Sequence, residues 1–141
     1  MATTRSTGPW APAASASAAR VAVTVVLHGL AIWGLCGATI GLAMATMSQQ
    51  DALLVHAAAA PVIASLVSLV YFRRHDHTTP LVTACCFLAV VVLADVLLVA
   101  MIIYRSFEMF RSAIGTWLPF GLIFAATWVV GAVLRHRSPE S

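Results

Sequence analysis

The chain has 141 residues, of which 61% are hydrophobic and only 9% are charged. A soluble domain carries about 25% charged residues, so this composition excludes an ordinary soluble protein. All eight basic residues are arginines that stand mostly at the ends of apolar runs, and this excludes the clustered basic face of a nucleic-acid-binding protein. The length leaves room for one domain with about four membrane spans.

The N-terminal segment, residues 1–19, is rich in Ala, Ser, Thr and Pro and predicts a disordered tail. A transmembrane domain follows over residues 20–135, and its first span is predicted at residues 21–47, directly after Arg20. This basic start and the small residues near position 45 resemble a cleaved secretory signal. The apolar run is longer than the ~7–15 residues of a signal core, which favours an uncleaved span over cleavage.

Small residues recur every three or four positions in the first span, at Gly34, Gly37, Gly41 and Ala45. The Gly37-x-x-x-Gly41 spacing lets a second helix approach closely. Two interpretations follow. The face packs against helices of the same bundle, or it binds a second copy or another membrane protein.

The second span is predicted at residues 52–72, after a short polar break in which Ser48 or Asp51 is expected to cap the helix. So short a connection predicts an antiparallel hairpin with the first span. Pro61 lies inside this span and lacks the N–H that would bond to the carbonyl four residues earlier, so we expect a kink or a freed carbonyl. Tyr71 is predicted to anchor the span at the membrane interface.

The third span is predicted at residues 80–104, with Pro80 in its first turn and Tyr104 as an interface anchor. Its most informative residue is Asp95, the one carboxylate of the run, near its middle. An acidic side chain in hydrocarbon is costly, so Asp95 is expected to be protonated or to have a partner.

The remaining chain contains an amphipathic stretch, residues 104–115, that predicts either an extension of the third helix or a short surface helix. The fourth span is predicted at residues 116–134, with Trp117 as an interface anchor, and residues 136–141 form a short cytoplasmic tail. The fold class is therefore all-α, an integral membrane bundle of four antiparallel transmembrane helices.

Orientation follows from the arginines, because cytoplasmic loops are enriched in basic residues. Six arginines lie on the side of the termini and of the 73–79 loop, and two lie on the other side. This bias predicts a multi-pass protein of a bacterial-type inner membrane with both termini in the cytoplasm.

Counting along the hairpins places Asp95, Pro61 and Thr39 at similar depth, with His56 about one turn nearer the outside. A protonated Asp95 can donate to the carbonyl freed by Pro61, whereas an ionised Asp95 can pair with His56. These residues therefore form a candidate intramembrane polar site. It serves either as a proton or cation site or as a neutral buried acid that holds two helices together.

Cofactor chemistry is weakly indicated. His28 and His56 are predicted ~21 Å apart along the bundle axis, too far for one haem iron to bind both, so only a haem with one His ligand is left open. His75-Asp76-His77 is a weak metal pattern, and the three cysteines lie inside apolar runs without metal-site spacing. We expect no metal, no cofactor and no catalytic constellation of nucleophile, base and acid.

The sequence SAIGTWLPF at residues 112–120, together with His56 before Pro61 and Asp95 in the third span, resembles small four-span bacterial inner-membrane proteins of unassigned function. The resemblance covers residues 21–134 and brings no reaction with it. The chain is also as long as the small multidrug exporters, but it lacks the membrane glutamate that their first span carries.

These observations lead first to a non-enzymatic interaction or accessory subunit of a membrane assembly. The alternatives are a proton- or cation-coupled small transporter centred on Asp95 and a haem-binding membrane anchor that uses His28 or His56. A water-accessible cavity at Asp95 would favour transport, and a closed bundle would favour the structural function.

Overall fold

The structure is a computed structural model that describes residues 11–75, 77–103, 105, 111 and 113–136. Within these ranges the chain is helical and has no strands. Helix α1 spans Ala11–Thr46, α2 spans Gln49–Arg74, α3 spans Pro80–Ala94 and α4 spans Leu118–His136. Two π-helical segments join them, with Asp95–Ile103 continuing α3 and Ala113–Trp117 leading into α4. The predicted all-α bundle of four helices is confirmed.

All four helices are long and apolar enough to cross a membrane, over Ser17–Thr46, Gln49–Arg74, Pro80–Ile102 and Gly115–His136. Only 22–28% of the most apolar stretch of each helix is buried inside the bundle. The outward faces therefore carry many large apolar side chains, among them Leu27, Leu42 and Ile102. Water would disfavour so much exposed apolar surface, whereas lipid accepts it, and this identifies a multi-pass membrane protein.

The helices form a four-cornered bundle in which α1 packs on α2 and α3, and α4 packs on the same two helices. Only Met47 and Ser48 separate α1 from α2, so these two helices run antiparallel. Gly131 near the end of α4 lies against Phe72 at the end of α2 and Pro80 at the start of α3. Successive helices therefore alternate in direction, and the core between them includes the fully buried Ile32, Tyr71, Phe87 and Ile123.

Two helices begin with side-chain caps. The Ser48 hydroxyl accepts a hydrogen bond from the backbone N–H of Asp51 at 3.3 Å and donates to the Asp51 carboxylate at 2.6 Å. Thr79 caps α3 through the backbone N–H of Val82, and Pro80 stands in the first turn, where its missing N–H is tolerated. The expected capping by Ser48 and the expected place of Pro80 are confirmed.

The start of α1 differs from the sequence-based expectation. Residues 11–19, which the composition assigned to a disordered tail over residues 1–19, are helical. Six of these nine residues are alanine, the residue with the highest helix propensity, and the helix that starts in them leads directly into the first span. Residues 1–10 and the tail after His136 lie outside the described residues.

Helix α2 stays continuous through Pro61, which lies inside it. Beyond the third span, Arg105 has a φ of 49°, in the left-handed region where right-handed helices end. This conformation argues against an unbroken extension of the third helix past residue 105. Tyr104 and most of the amphipathic stretch at 104–115 lie outside the described residues.

Candidate functional site

The described chain contains a partly enclosed cavity of about 80 Å³ in the middle of the bundle, and we refer to it as the polar cavity. Residues of all four helices line it. Its polar and small members include Trp33, Cys36, Gly37, His56, Asp95 and Gly115. A single water molecule needs only ~10–15 Å³, so the cavity has room for several waters or for one small ligand.

Asp95 enters the polar cavity from the junction between α3 and the π-helical segment Asp95–Ile103. Val91 and Val99 line the cavity with it, since residues four apart share one face of a helix. The indole Nε1–H of Trp33 donates a hydrogen bond to Asp95 Oδ1 at 2.8 Å. No other hydrogen bond of this carboxylate is seen among the described residues, so its second oxygen, Oδ2, stays available.

His56 lines the same cavity from α2. Its ring lies near the Cys36 backbone, and its Nδ1 atom is buried without a hydrogen-bond partner in the described part of the chain. A neutral imidazole carries a hydrogen on one ring nitrogen and a lone pair on the other, so the ring of His56 offers one acceptor.

The polar groups of the cavity therefore lack part of their hydrogen bonds within the described chain. A buried polar atom without a partner typically costs 1–3 kcal/mol of stability, and most buried polar atoms in proteins are paired. An ionised Asp at the centre of a span costs a further ~2.5–3.5 kcal/mol on insertion scales. A carboxylate with one partner and an imidazole nitrogen with none can together bind a proton or a ligand that donates hydrogen bonds.

The structure brings together only part of the predicted polar site. Asp95 and His56 share the cavity, but the described contacts give Asp95 no bond to the carbonyl freed by Pro61 and none to His56. The Thr39 hydroxyl donates to the Leu35 carbonyl at 2.8 Å on its own helix and does not line the cavity.

Trp33 is the partner that the sequence-based reasoning missed. Its position contained a usable indication, because tryptophan in membrane proteins concentrates at the interfaces and residue 33 lies in the middle of its span. A tryptophan N–H buried at that depth needs an acceptor, and Asp95 is the acid at the middle of the third span.

The small-residue face of α1 points away from the bundle. Gly34, Gly37 and Gly41 are exposed, and a Cβ added at any of them would meet nothing within 4 Å. Ala45 is exposed as well. Among the described residues this face therefore has no packing partner inside the bundle, although Gly37 also borders the polar cavity.

The second intramembrane histidine, His28, lies in a different environment. Its Nδ1 is 2.8 Å from the Thr24 carbonyl, and its ring packs edge-on against Tyr71 and His75 and parallel to Phe87. His56 precedes Tyr71 by fifteen residues of α2, or roughly 22 Å at 1.5 Å per residue, so the two histidines are far apart.

The predicted interface anchors differ in placement. Tyr71 is fully buried, and its hydroxyl is 2.8 Å from the Thr78 hydroxyl, so it packs inside the bundle instead of facing lipid headgroups. Trp117 is 60% exposed and packs edge-on against Phe120. Tyr104 lies outside the described residues.

The weak metal pattern at residues 75–77 includes Asp76, which also lies outside the described residues. The described residues contain no group of three His, Cys, Asp or Glu side chains arranged to hold a metal ion.

Comparison with protein-family models, with curated proteins and with solved structures finds no match for this chain. The resemblance to small four-span bacterial membrane proteins therefore stays a prediction, and function has to be argued from the polar cavity itself.

Proposed function

We propose that this membrane protein binds a proton or a small cation in the polar cavity and carries it across the bilayer. One observation supports this most: Asp95 and the unpartnered Nδ1 of His56 line one cavity to which all four helices contribute. Polar groups that only hold helices together would be expected to bond to each other. Here the described contacts join neither group to the other, and intramembrane acids of this kind mark ion pathways and proton relays.

In this proposal the protein performs no chemical reaction. Asp95 takes up and releases the proton or binds the cation, and Trp33 orients the carboxylate through its 2.8 Å hydrogen bond. His56 supplies a second acceptor at the same cavity. The two π-helical segments stand directly next to this site, and π-helical turns are frequent at functional sites.

The test is flux through the purified full chain in liposomes with an internal pH-sensitive dye. Wild-type protein is expected to dissipate an imposed pH gradient, and Asp95→Asn is expected to abolish this, because an amide keeps the size of the side chain but does not titrate. Gly34→Ala is the matched control, since its added Cβ meets nothing within 4 Å. Flux that is equal in the Asp95→Asn variant would refute the carrier function of Asp95.

We propose further that the protein resides in a bacterial-type inner membrane with both termini in the cytoplasm. The six-to-two distribution of arginines supports this orientation. Single cysteines introduced at positions 75 and 107 of a variant without the native cysteines are expected to react with an impermeant maleimide from opposite sides. Labelling of both from one side would refute the topology.

A second candidate, an interaction or accessory subunit, is favoured by a different observation. The exposed Gly34, Gly37 and Gly41 face has open space in front of it, as a face that receives another helix requires. Gly41→Ile would fill this space. Crosslinking in native membranes is expected to give a product with wild type that Gly41→Ile loses, while Gly121→Ile on α4, where an added Cβ also meets nothing within 4 Å, keeps it.

A further inference from the structure

The unsatisfied groups of the polar cavity share one character. Asp95 Oδ2 has no hydrogen-bond partner among the described residues and only accepts when the carboxylate is ionised. The ring of His56 also lines the cavity, its Nδ1 has no partner among the described residues, and a neutral imidazole has one acceptor nitrogen. The indole N–H of Trp33 is already used. The described side chains that line the cavity thus offer two acceptors, a carboxylate and an imidazole, and one negative charge.

We infer that the ligand of the polar cavity is a small ammonium-type cation, of which ammonium and methylammonium are the simplest members. This inference rests on the proposed function of the cavity and names the chemical class of its ligand. An ammonium group has a positive charge for Asp95 and at least two N–H donors, one for Asp95 Oδ2 and one for the acceptor nitrogen of His56. Charge-assisted hydrogen bonds of this kind are about twice as strong as neutral ones.

The remaining wall of the cavity also fits this class. Val91, Val99 and Ile123 are apolar, and Phe120 and Trp33 add aromatic rings. A small alkylammonium places its methyl group on such a wall, and aromatic rings attract its charge. The volume of about 80 Å³ limits the ligand to a few non-hydrogen atoms.

Other ligand classes fit less well. An anion would meet the Asp95 carboxylate without any strong donor to bind it. A bare metal ion needs several oxygen or nitrogen ligands to replace its hydration shell, and the described residues include no group of three acidic, His or Cys side chains so arranged. A quaternary ammonium has the charge but no N–H, and it leaves both acceptors unsatisfied.

The experiment is calorimetric titration of the full chain in nanodiscs with ammonium, methylammonium, sodium, potassium and tetramethylammonium chlorides at constant ionic strength. We expect saturable binding of the first two, tighter by about tenfold or more than that of the others, because the others lack the N–H groups that form charge-assisted hydrogen bonds. Asp95→Asn and His56→Leu are each expected to weaken methylammonium binding by about tenfold, and Gly121→Ala, whose added Cβ meets nothing within 4 Å, is expected to leave it unchanged.

Equal binding of methylammonium and tetramethylammonium by wild type would overturn the inference, and this comparison needs no variant to fold. Methylammonium binding that Asp95→Asn leaves intact in a protein with wild-type melting behaviour would overturn it as well. Proton flux that depends on Asp95 without ammonium selectivity refutes only this inference. Selective ammonium binding without flux of protons or ammonium refutes only the transport function.

Discussion

The bundle contains two polar regions that differ in how completely their groups are hydrogen-bonded. One lies at the end of the bundle where residues 75–79 connect α2 to α3. There the hydroxyl of Thr78 is 2.8 Å from that of Tyr71 and 2.7 Å from that of Thr83, and we refer to these three residues as the hydroxyl latch. Arg135 closes it with a 3.1 Å bond to the Thr78 carbonyl. In the polar cavity, by contrast, Asp95 has one described partner and His56 Nδ1 has none.

This difference distinguishes polar groups that stabilise the bundle from polar groups that are available for binding. Polar groups inside a bundle stabilise it only when they are paired, and a partly satisfied group lowers stability. The hydroxyl latch meets this condition and lies beside tightly packed rings, so it holds the ends of α2, α3 and α4 together. The polar cavity does not meet it, which is the pattern expected where stability is given up for binding.

The largest effect is expected from disturbing the packing next to the hydroxyl latch. A Cβ added at Gly131 would lie 2.6 Å from the Phe72 ring and 2.8 Å from the Pro80 Cβ. Gly131→Ala is therefore expected to lower the free energy of unfolding by about 1–3 kcal/mol, as overpacking does. The measurement is the melting temperature of the purified protein in detergent.

Gly121→Ala on the same helix is the control for this prediction. Its added Cβ meets nothing within 4 Å, and alanine is the better helix former, so stability should stay equal or rise. Equal melting temperatures for the two variants would show that the close contact between α2, α3 and α4 does not exist.

The next effect concerns the Trp33–Asp95 bond of the polar cavity. Asp95→Leu removes the acceptor of the Trp33 N–H and is expected to lower the free energy of unfolding by about 1 kcal/mol, since interhelical hydrogen bonds in membranes average ~0.6 and reach ~1.7 kcal/mol. Asp95→Asn keeps an acceptor and should be nearly neutral. Melting of the three proteins side by side tests this, and a large loss with Asn would mean that the charge itself stabilises the bundle.

The sequence predicts some parts of this arrangement well, for physical reasons. Four apolar runs of span length require four helices, and a two-residue connection requires a hairpin. Asp95 is recognisable because a carboxylate in hydrocarbon needs an explanation. The capping by Ser48 is equally local, since it depends on one hydroxyl and the next turn of backbone.

Helix rotation and depth are not local, and the sequence does not determine them. The spans are apolar on nearly every side, so periodicity does not tell which face of α1 turns toward α3. Counting from the hairpin predicts Thr39 at a similar depth to Asp95, whereas the residue of α1 that bonds to Asp95 is Trp33, six residues or ~9 Å earlier along the helix. The π-helical continuation after Asp95 changes the rise and direction of that helix, and the sequence shows no pattern for it.

A smaller effect is expected from the buried bond between Ser68 of α2 and Thr127 of α4, whose hydroxyls are 3.1 Å apart. Ser68→Ala and Thr127→Val each remove it. A double-mutant cycle on detergent melting is expected to give a coupling free energy of about 0.6 kcal/mol, with liposome flux unaffected. Additive effects would mean that the bond does not stabilise the helix pair, and lost flux would connect it to the polar cavity.

The smallest stability effect, and the sharpest test of the comparison, is expected from His56. His56→Leu removes the imidazole from the polar cavity, including a buried nitrogen that has no described partner. Because losing an unsatisfied polar atom removes no hydrogen bond, the free energy of unfolding should stay within about 1 kcal/mol of wild type or rise, while flux falls. His28→Leu is the matched control, because it loses the bond to the Thr24 carbonyl and the ring contacts with Tyr71 and Phe87. That variant should melt clearly lower and, in the folded fraction, keep its flux. If His56→Leu melts as low as His28→Leu, His56 is a structural residue, and the distinction between the polar cavity and the latch end of the bundle does not hold.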